Sequence, residues 1–110
     1  MTPEDRFQKA ISLFIEQNER VANEINQLSP QVAEQLGISF DEYKKAHAGR
    51  LFGEYAASVG LDVFMLAFEL TATSQTELHE LKSKHYRSLA EMLGMSWEEY
   101  IVHNPHLAGY

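Results

Sequence analysis

Two eleven-residue stretches of this chain are near copies of one another, and each dictates a helix stop followed at once by a helix start. Residues 33–43 read Ala-Glu-Gln-Leu-Gly-Ile-Ser-Phe-Asp-Glu-Tyr, and residues 90–100 read Ala-Glu-Met-Leu-Gly-Met-Ser-Trp-Glu-Glu-Tyr. Seven of the eleven pairs are identical, at an offset of 94 − 37 = 57 residues. The likeness fades on both sides, so what repeats is a joint rather than a domain. Gly37 and Gly94 supply the left-handed residue that ends a helix. Ile38 and Met95 follow, placed to pack back on the helix just ended. Ser39 and Ser96 are N-caps, and Glu42 and Glu99, three residues on, complete a Ser-x-x-Glu capping box. Ile38 with Tyr43, and Met95 with Tyr100, take the two places of a hydrophobic staple.

Other marks extend the pattern. Val59-Gly60-Leu61-Asp62 is a looser copy, with Asp62 as N-cap and Leu61 placed to staple to Leu66. Ser74-Gln75-Thr76-Glu77 is a further capping box. Thr2-Pro3 and Ser29-Pro30 read as N-cap followed by proline at the first helical position, where its missing N–H costs nothing. Between these marks the sequence predicts six helices, at about 3–27, 30–36, 40–59, 63–72, 75–93 and 97–103. The first carries Phe7, Ile11, Phe14, Val21, Ile25 and Leu28 at alternating steps of four and three, with Asn18 interrupting the seam. A buried Asn there would fix register in a coiled-coil dimer; in a monomeric bundle it would lie at a wet margin or cap a buried backbone group. Helix 75–93 places Leu78, Leu81, Leu89, Met92 and Leu93 on one side. Segment 63–70 is apolar nearly all round and reads as a central helix wrapped by the others. The expected fold is all-α: one compact bundle of five to six helices forming a single domain, 1–110.

Composition narrows the chemistry. There is no cysteine, which removes disulfides, thiolate metal sites and cysteine nucleophiles. The longest apolar run, Val63 to Phe68, is six residues, against about 20 for a membrane span. The N-terminus, Met-Thr-Pro-Glu-Asp, lacks the basic-then-apolar order of an export signal. A cytoplasmic protein with no membrane partner is the expectation. Net charge is −7, which opposes the electrostatic attraction that dominates binding to nucleic acid.

Residues 28–39, Leu-Ser-Pro-Gln-Val-Ala-Glu-Gln-Leu-Gly-Ile-Ser, resemble the first helix and turn of repressor-type helix-turn-helix domains. The resemblance covers about 20 residues. It implies DNA binding, with Lys44, Lys45 and Arg50 meeting phosphates and the start of the next helix entering the major groove. That start reads Phe40-Asp41-Glu42, and two carboxylates there would face phosphate.

No catalytic spacing stands out. None of the five histidines, His47, His79, His85, His103 and His106, has a glutamate three residues before it, as the Glu-x-x-His pair of di-iron bundles requires. His79-Glu80 begins like a zinc-protease helix, but Ser83 stands where the second histidine belongs. Glu69, in the most apolar segment, could serve as an acid or base with His47 or His85, although a wet helix edge is the simpler place for it. Small residues, Ala46, Gly49, Gly53, Ala56 and Ala57, line one side of helix 40–59. Two interior glycines weaken a helix, and the close approach of another helix would offset that.

Two basic clusters each include a histidine: Lys44, Lys45, His47 and Arg50, and Lys82, Lys84, His85 and Arg87. Together they form the candidate interaction patch, set against the plainer reading that these charges pair with neighbouring carboxylates. The sequence thus reads as a small acidic, non-enzymatic helical protein that works by binding another macromolecule, a protein before nucleic acid, in a regulator, inhibitor or immunity-type role. It calls for no cofactor and no metal, and leaves self-association open. The alternatives are a helix-turn-helix DNA-binding regulator and a small enzyme with a dispersed Glu/His site.

Overall fold

Three glycines end helices in the left-handed conformation, and the three corners that follow are built alike. In the computed structural model, which describes residues 2–110, Gly37, Gly60 and Gly94 have φ of +73°, +74° and +69°. The N–H of the next residue (Ile38, Leu61 or Met95) donates to the carbonyl of Ala33, Ala56 or Ala90, at 3.1, 2.9 and 3.0 Å. This bond satisfies a carbonyl that the end of a helix leaves without a partner. All three alanines are buried, so each joint closes against packed side chains. The restart is as regular. Ser39 and Ser96 accept from the N–H groups of Glu42 and Glu99 at 3.0 and 3.2 Å, and Asp62 accepts from Met65 at 2.8 Å. At the second proline start the expectation is not met: Ser29 donates to the Gln31 side chain and makes no cap bond.

The elements are α1 (Pro3–Gln17), α2 (Glu19–Asn26), α3 (Pro30–Leu36), α4 (Phe40–Ser58), α5 (Val63–Thr71), α6 (Gln75–Met92) and α7 (Trp97–His103), then a 3₁₀ turn at Pro105–Leu107. No strand occurs among the described residues, so the fold is all-α. Among the described residues there are seven α-helices rather than six, because the predicted helix 3–27 is two. Asn18 breaks it with extended dihedrals, φ −127° and ψ 93°. Its side-chain amide donates to the Phe14 carbonyl at 2.7 Å, while its own N–H goes to Ile15 at 3.2 Å. The side chain has taken the acceptor that a continuous helix gives to the backbone. Of the roles weighed for Asn18, the structure shows the backbone cap.

The described residues fall into two compact units, divided after Thr71. In the first, α5 lies against α1 and α4, and the core is Ala10, Phe14, Phe52, Ala56, Leu66 and Ala67. Five aromatic rings run in a row, Phe64–Phe7–Phe52–Phe14–Tyr55, with centroids 5.3–6.4 Å apart. The middle ring, Phe52, is fully buried and meets both neighbours edge-on, a favoured aromatic geometry. Arg6 on α1 donates to the Thr71 hydroxyl at 2.9 Å, and that hydroxyl donates to the Ala67 carbonyl at 2.7 Å. The first helix and the last are thereby tied. Segment 63–71 is helical as predicted, but it is not wrapped all round: Phe64 is half exposed and Glu69 is exposed.

The second unit is smaller. Ala90, Tyr100 and Leu107 form its buried cluster, with Tyr86, Leu89, Met95, Trp97 and Tyr110 packed around them. Met92 and Leu93, expected on the packed side of α6, are 81% and 66% exposed. Ala90 occupies the core position in that last turn instead. Among the described residues no single helix is long and apolar enough to cross a membrane.

Candidate functional site

The two basic clusters lie in different units, the first on α4 and the second on α6. On α4 the cationic groups are engaged close to home. Lys45 pairs with Asp41 one turn back at 3.3 Å, and both are well exposed. Lys44 lies 4.7 Å above the Phe40 ring. The Arg50 guanidinium donates to His47 Nδ1 at 3.0 Å and stands 3.8 Å from Glu54. With Nδ1 accepting, the His47 proton sits on Nε2, which faces Glu24 at 3.4 Å. A polar chain, Glu54–Arg50–His47–Glu24, therefore joins α4 to α2. Exposed pairs of this kind contribute about 0–1 kcal/mol each, so they position side chains more than they hold the fold.

Beside this cluster lies a groove of about 270 Å³. Ile11 and Ile15 from α1, Ile25 from α2 and Ala48 from α4 supply its apolar lining. Lys44 and Lys45 add positive charge at the α4 side, and Gln8 and Ser12 add polar groups from α1. The sequence marks the lysines but not the groove, because its isoleucines come from two helices, α1 and α2, that the sequence reads as one.

On α6 the geometry is different. His79, Glu80, Ser83, Lys84, Arg87, Ser88 and Glu91 recur at steps of three and four and line one open groove of about 480 Å³. Lys84 and Arg87 of the candidate patch belong to it. Lys82 and His85 do not line it. Arg87 lies 4.5 Å over the Trp97 ring and donates to the Tyr110 carbonyl oxygen at 2.9 Å. Ser83 donates to the same oxygen at 2.7 Å. The Tyr110 ring stacks on His79 at 4.8 Å and lies 5.4 Å from Tyr86. Sequence reasoning missed this cradle. The only signal was the i, i+4 run 79–83–87, which points at nothing until the tail is in place.

Glu69, His47 and His85 are the residues named for a dispersed catalytic site. Glu69 is exposed on α5, His47 is held by Glu24 and Arg50, and His85 belongs to the second unit. No group of three or more histidine or acidic side chains among the described residues could hold a metal ion. On α4, a Cβ built at Gly49 meets nothing within 4 Å, and one at Gly53 meets only Val63 at 3.9 Å. The close helix approach expected at those glycines is absent from the first unit.

No curated protein and no solved structure matches the chain. The sequence model of one family does, over residues 1–105. By that match the chain belongs to DUF6388, a family of unknown function.

Proposed function

We propose that this protein acts by binding another protein, without chemistry of its own, through the groove between α1, α2 and α4. The observation that carries the reading is the pairing in one place of an apolar floor, Ile11, Ile15 and Ile25, with Lys44 and Lys45 on an otherwise acidic chain. An amphipathic helix that lays apolar anchors in a groove and sets carboxylates against its rim is a recurring recognition mode. The partner is therefore an acidic segment with an apolar face. A role as regulator, inhibitor or immunity-type protein fits such a surface. Exposed Tyr55, Val59 and Phe64 extend the apolar area available on the same unit.

The test is a comparison of baits. Wild-type protein and the double variant Lys44→Glu/Lys45→Glu are used to capture partners from native extract, followed by mass spectrometry. A partner that the wild type retains and the double variant loses supports the groove. Equal capture by both shows that the groove is not the contact.

The helix-turn-helix alternative has its own observation in support: α3, the Gly37 turn and α4 do form consecutive helices around a tight joint. Against it, Asp41 and Glu42 occupy the first turn of α4. No shift of duplex DNA on a gel at ~50 mM salt, where phosphate contacts are strong, is the expected outcome. A shift weakened by Arg50→Ala would reinstate DNA binding.

A further inference from the structure

The groove between α1, α2 and α4 calls for an acidic segment with apolar anchors, and the same chain displays a segment of that description at its Gly94 corner. Met92 and Leu93 at the end of α6, and Val102 on α7, are 81%, 66% and 76% exposed, the three most exposed large apolar side chains among the described residues. The corner itself imposes this. Ala90 turns into the buried cluster, and its carbonyl accepts from the Met95 N–H at 3.0 Å. The two residues before Gly94 are thereby left facing outward. Tyr100 is buried, so Val102, two residues on, lies on the far side of α7. Glu91 and Glu98 are exposed beside these residues, and neither carboxylate has an ion pair with another described residue.

The groove offers the opposite charge around a matching floor. Lys44 lies over the Phe40 ring and has no carboxylate partner among the described residues. Lys45 is paired with Asp41, but both side chains are well exposed. A pair of that kind contributes about 0–1 kcal/mol, so an incoming carboxylate can replace Asp41 at little cost. The other two glycine corners are poorer occupants. At Gly37 the exposed Leu36 follows Gln35, which stands where the Gly94 corner has Met92, and Asp41 is already engaged by Lys45. At Gly60 the one acid is Asp62, whose carboxylate caps α5 by accepting from the Met65 N–H. Two adjacent exposed apolar residues with unpaired carboxylates beside them occur at Gly94 alone of the three corners.

We propose that a second copy of this chain fills the groove with its α6–α7 corner, Met92 and Leu93 lying against Ile11, Ile15 and Ile25, and Glu91 and Glu98 meeting Lys44 and Lys45. This rests on reading the groove as a protein-docking site and names one occupant for it. Groove and corner are different surfaces, so the contact is heterologous: a copy that gives its corner still has its own groove to fill, and assembly continues until a ring closes or an open chain forms. A groove of about 270 Å³ admits few side chains, which places the contact among small, weak interfaces, below about 1,200 Å². By mass action the groove is covered when the chain is concentrated and open to other partners when it is dilute.

The test is sedimentation equilibrium of the full chain from about 10 μM to about 1 mM, a span that covers weak contacts. The mass of the wild type should rise with concentration. The groove variant Lys44→Glu/Lys45→Glu and the corner variant Met92→Ser/Leu93→Ser should each remain monomeric. Mixed in equal amounts, the two should form a complex of twice the monomer mass and no larger, because the intact corner of one meets the intact groove of the other while the remaining surfaces are disabled. A wild type that is monomeric throughout, self-association that survives in either variant, or a mixture that stays monomeric overturns the proposal. If the serine variant loses helix content by circular dichroism, Glu91→Lys/Glu98→Lys, which keeps the apolar anchors, takes its place under the same criteria. The docking reading of the groove is judged separately, by the capture comparison: a monomeric wild type whose captured partner is lost on Lys44→Glu/Lys45→Glu removes the second copy and keeps the groove.

Discussion

The two units solve the same problem with different means. The first buries an aromatic row around Phe52 and ties its first helix to its last through Arg6 and Thr71. The second, 110 − 72 + 1 = 39 residues long, has only Ala90, Tyr100 and Leu107 fully packed. Below about 40 residues an apolar core rarely suffices without added staples. The staples here are side-chain contacts from α6 to α7 and to the tail: the two donors on Tyr110, its stacked ring, and Arg87 on Trp97. Where apolar burial is scarce, oriented polar and aromatic contacts take over part of its role.

Substitutions graded by size can break that contrast or sharpen it. Phe52→Ala removes the middle ring of the row and leaves a cavity walled by Phe7 and Phe14. The first unit should lose about 3–5 kcal/mol, read as lost amide-exchange protection in α1, α4 and α5. A loss below ~1 kcal/mol would mean that the row is not the core it looks. Leu107→Ala should destabilise the second unit by about 2–3 kcal/mol, measured by exchange in α6 and α7. A smaller effect would shift still more of the hold onto Tyr110.

Gly37→Ala and Gly94→Ala place the same substitution at equivalent points of the two units. Each forces a side chain into positive φ with no steric neighbour to complicate it, so each should cost about 1–2 kcal/mol. Thermal or urea unfolding of the two variants would show whether the joints matter equally. Gly49→Ala should act in the other direction. Its Cβ enters open space inside α4, and the gain is about 0.5–1 kcal/mol, seen as a raised Tm. A destabilising Gly49→Ala would point to a second chain packed on that face.

What the sequence made legible was local. The Gly–Ser and Gly–Asp joints announce themselves within six residues, because caps and left-handed turns are decided by neighbours. Most helix ends accordingly fall within one residue of their expected places. The break at Asn18 was harder: the apolar steps run through it unchanged, and the extended backbone of Asn18 and its bond to the Phe14 carbonyl show that the helix has ended. Met92 and Leu93 misled for a related reason. Helical spacing says which residues share a side, while burial depends on what lies opposite, and the buried place in that turn is taken by Ala90. The two candidate surfaces were partly visible. The lysines of the first and the Lys84/Arg87 pair of the second were marked by charge. The isoleucine floor and the Tyr110 cradle join residues from different elements, such as Ile15 with Ile25 and Ser83 with Tyr110, and no spacing rule within one helix reaches that far.

The edge-on setting of Phe52 has a practical consequence. In each edge-to-face pair the edge protons of one ring, Phe52 or its neighbour, lie over the face of the other, where circulating π electrons shield them. They should resonate well upfield of ordinary phenylalanine signals, giving proton magnetic resonance an intrinsic gauge of whether the larger unit is intact. With Trp97 as an optical gauge for the smaller one, either half can be monitored without attaching a label.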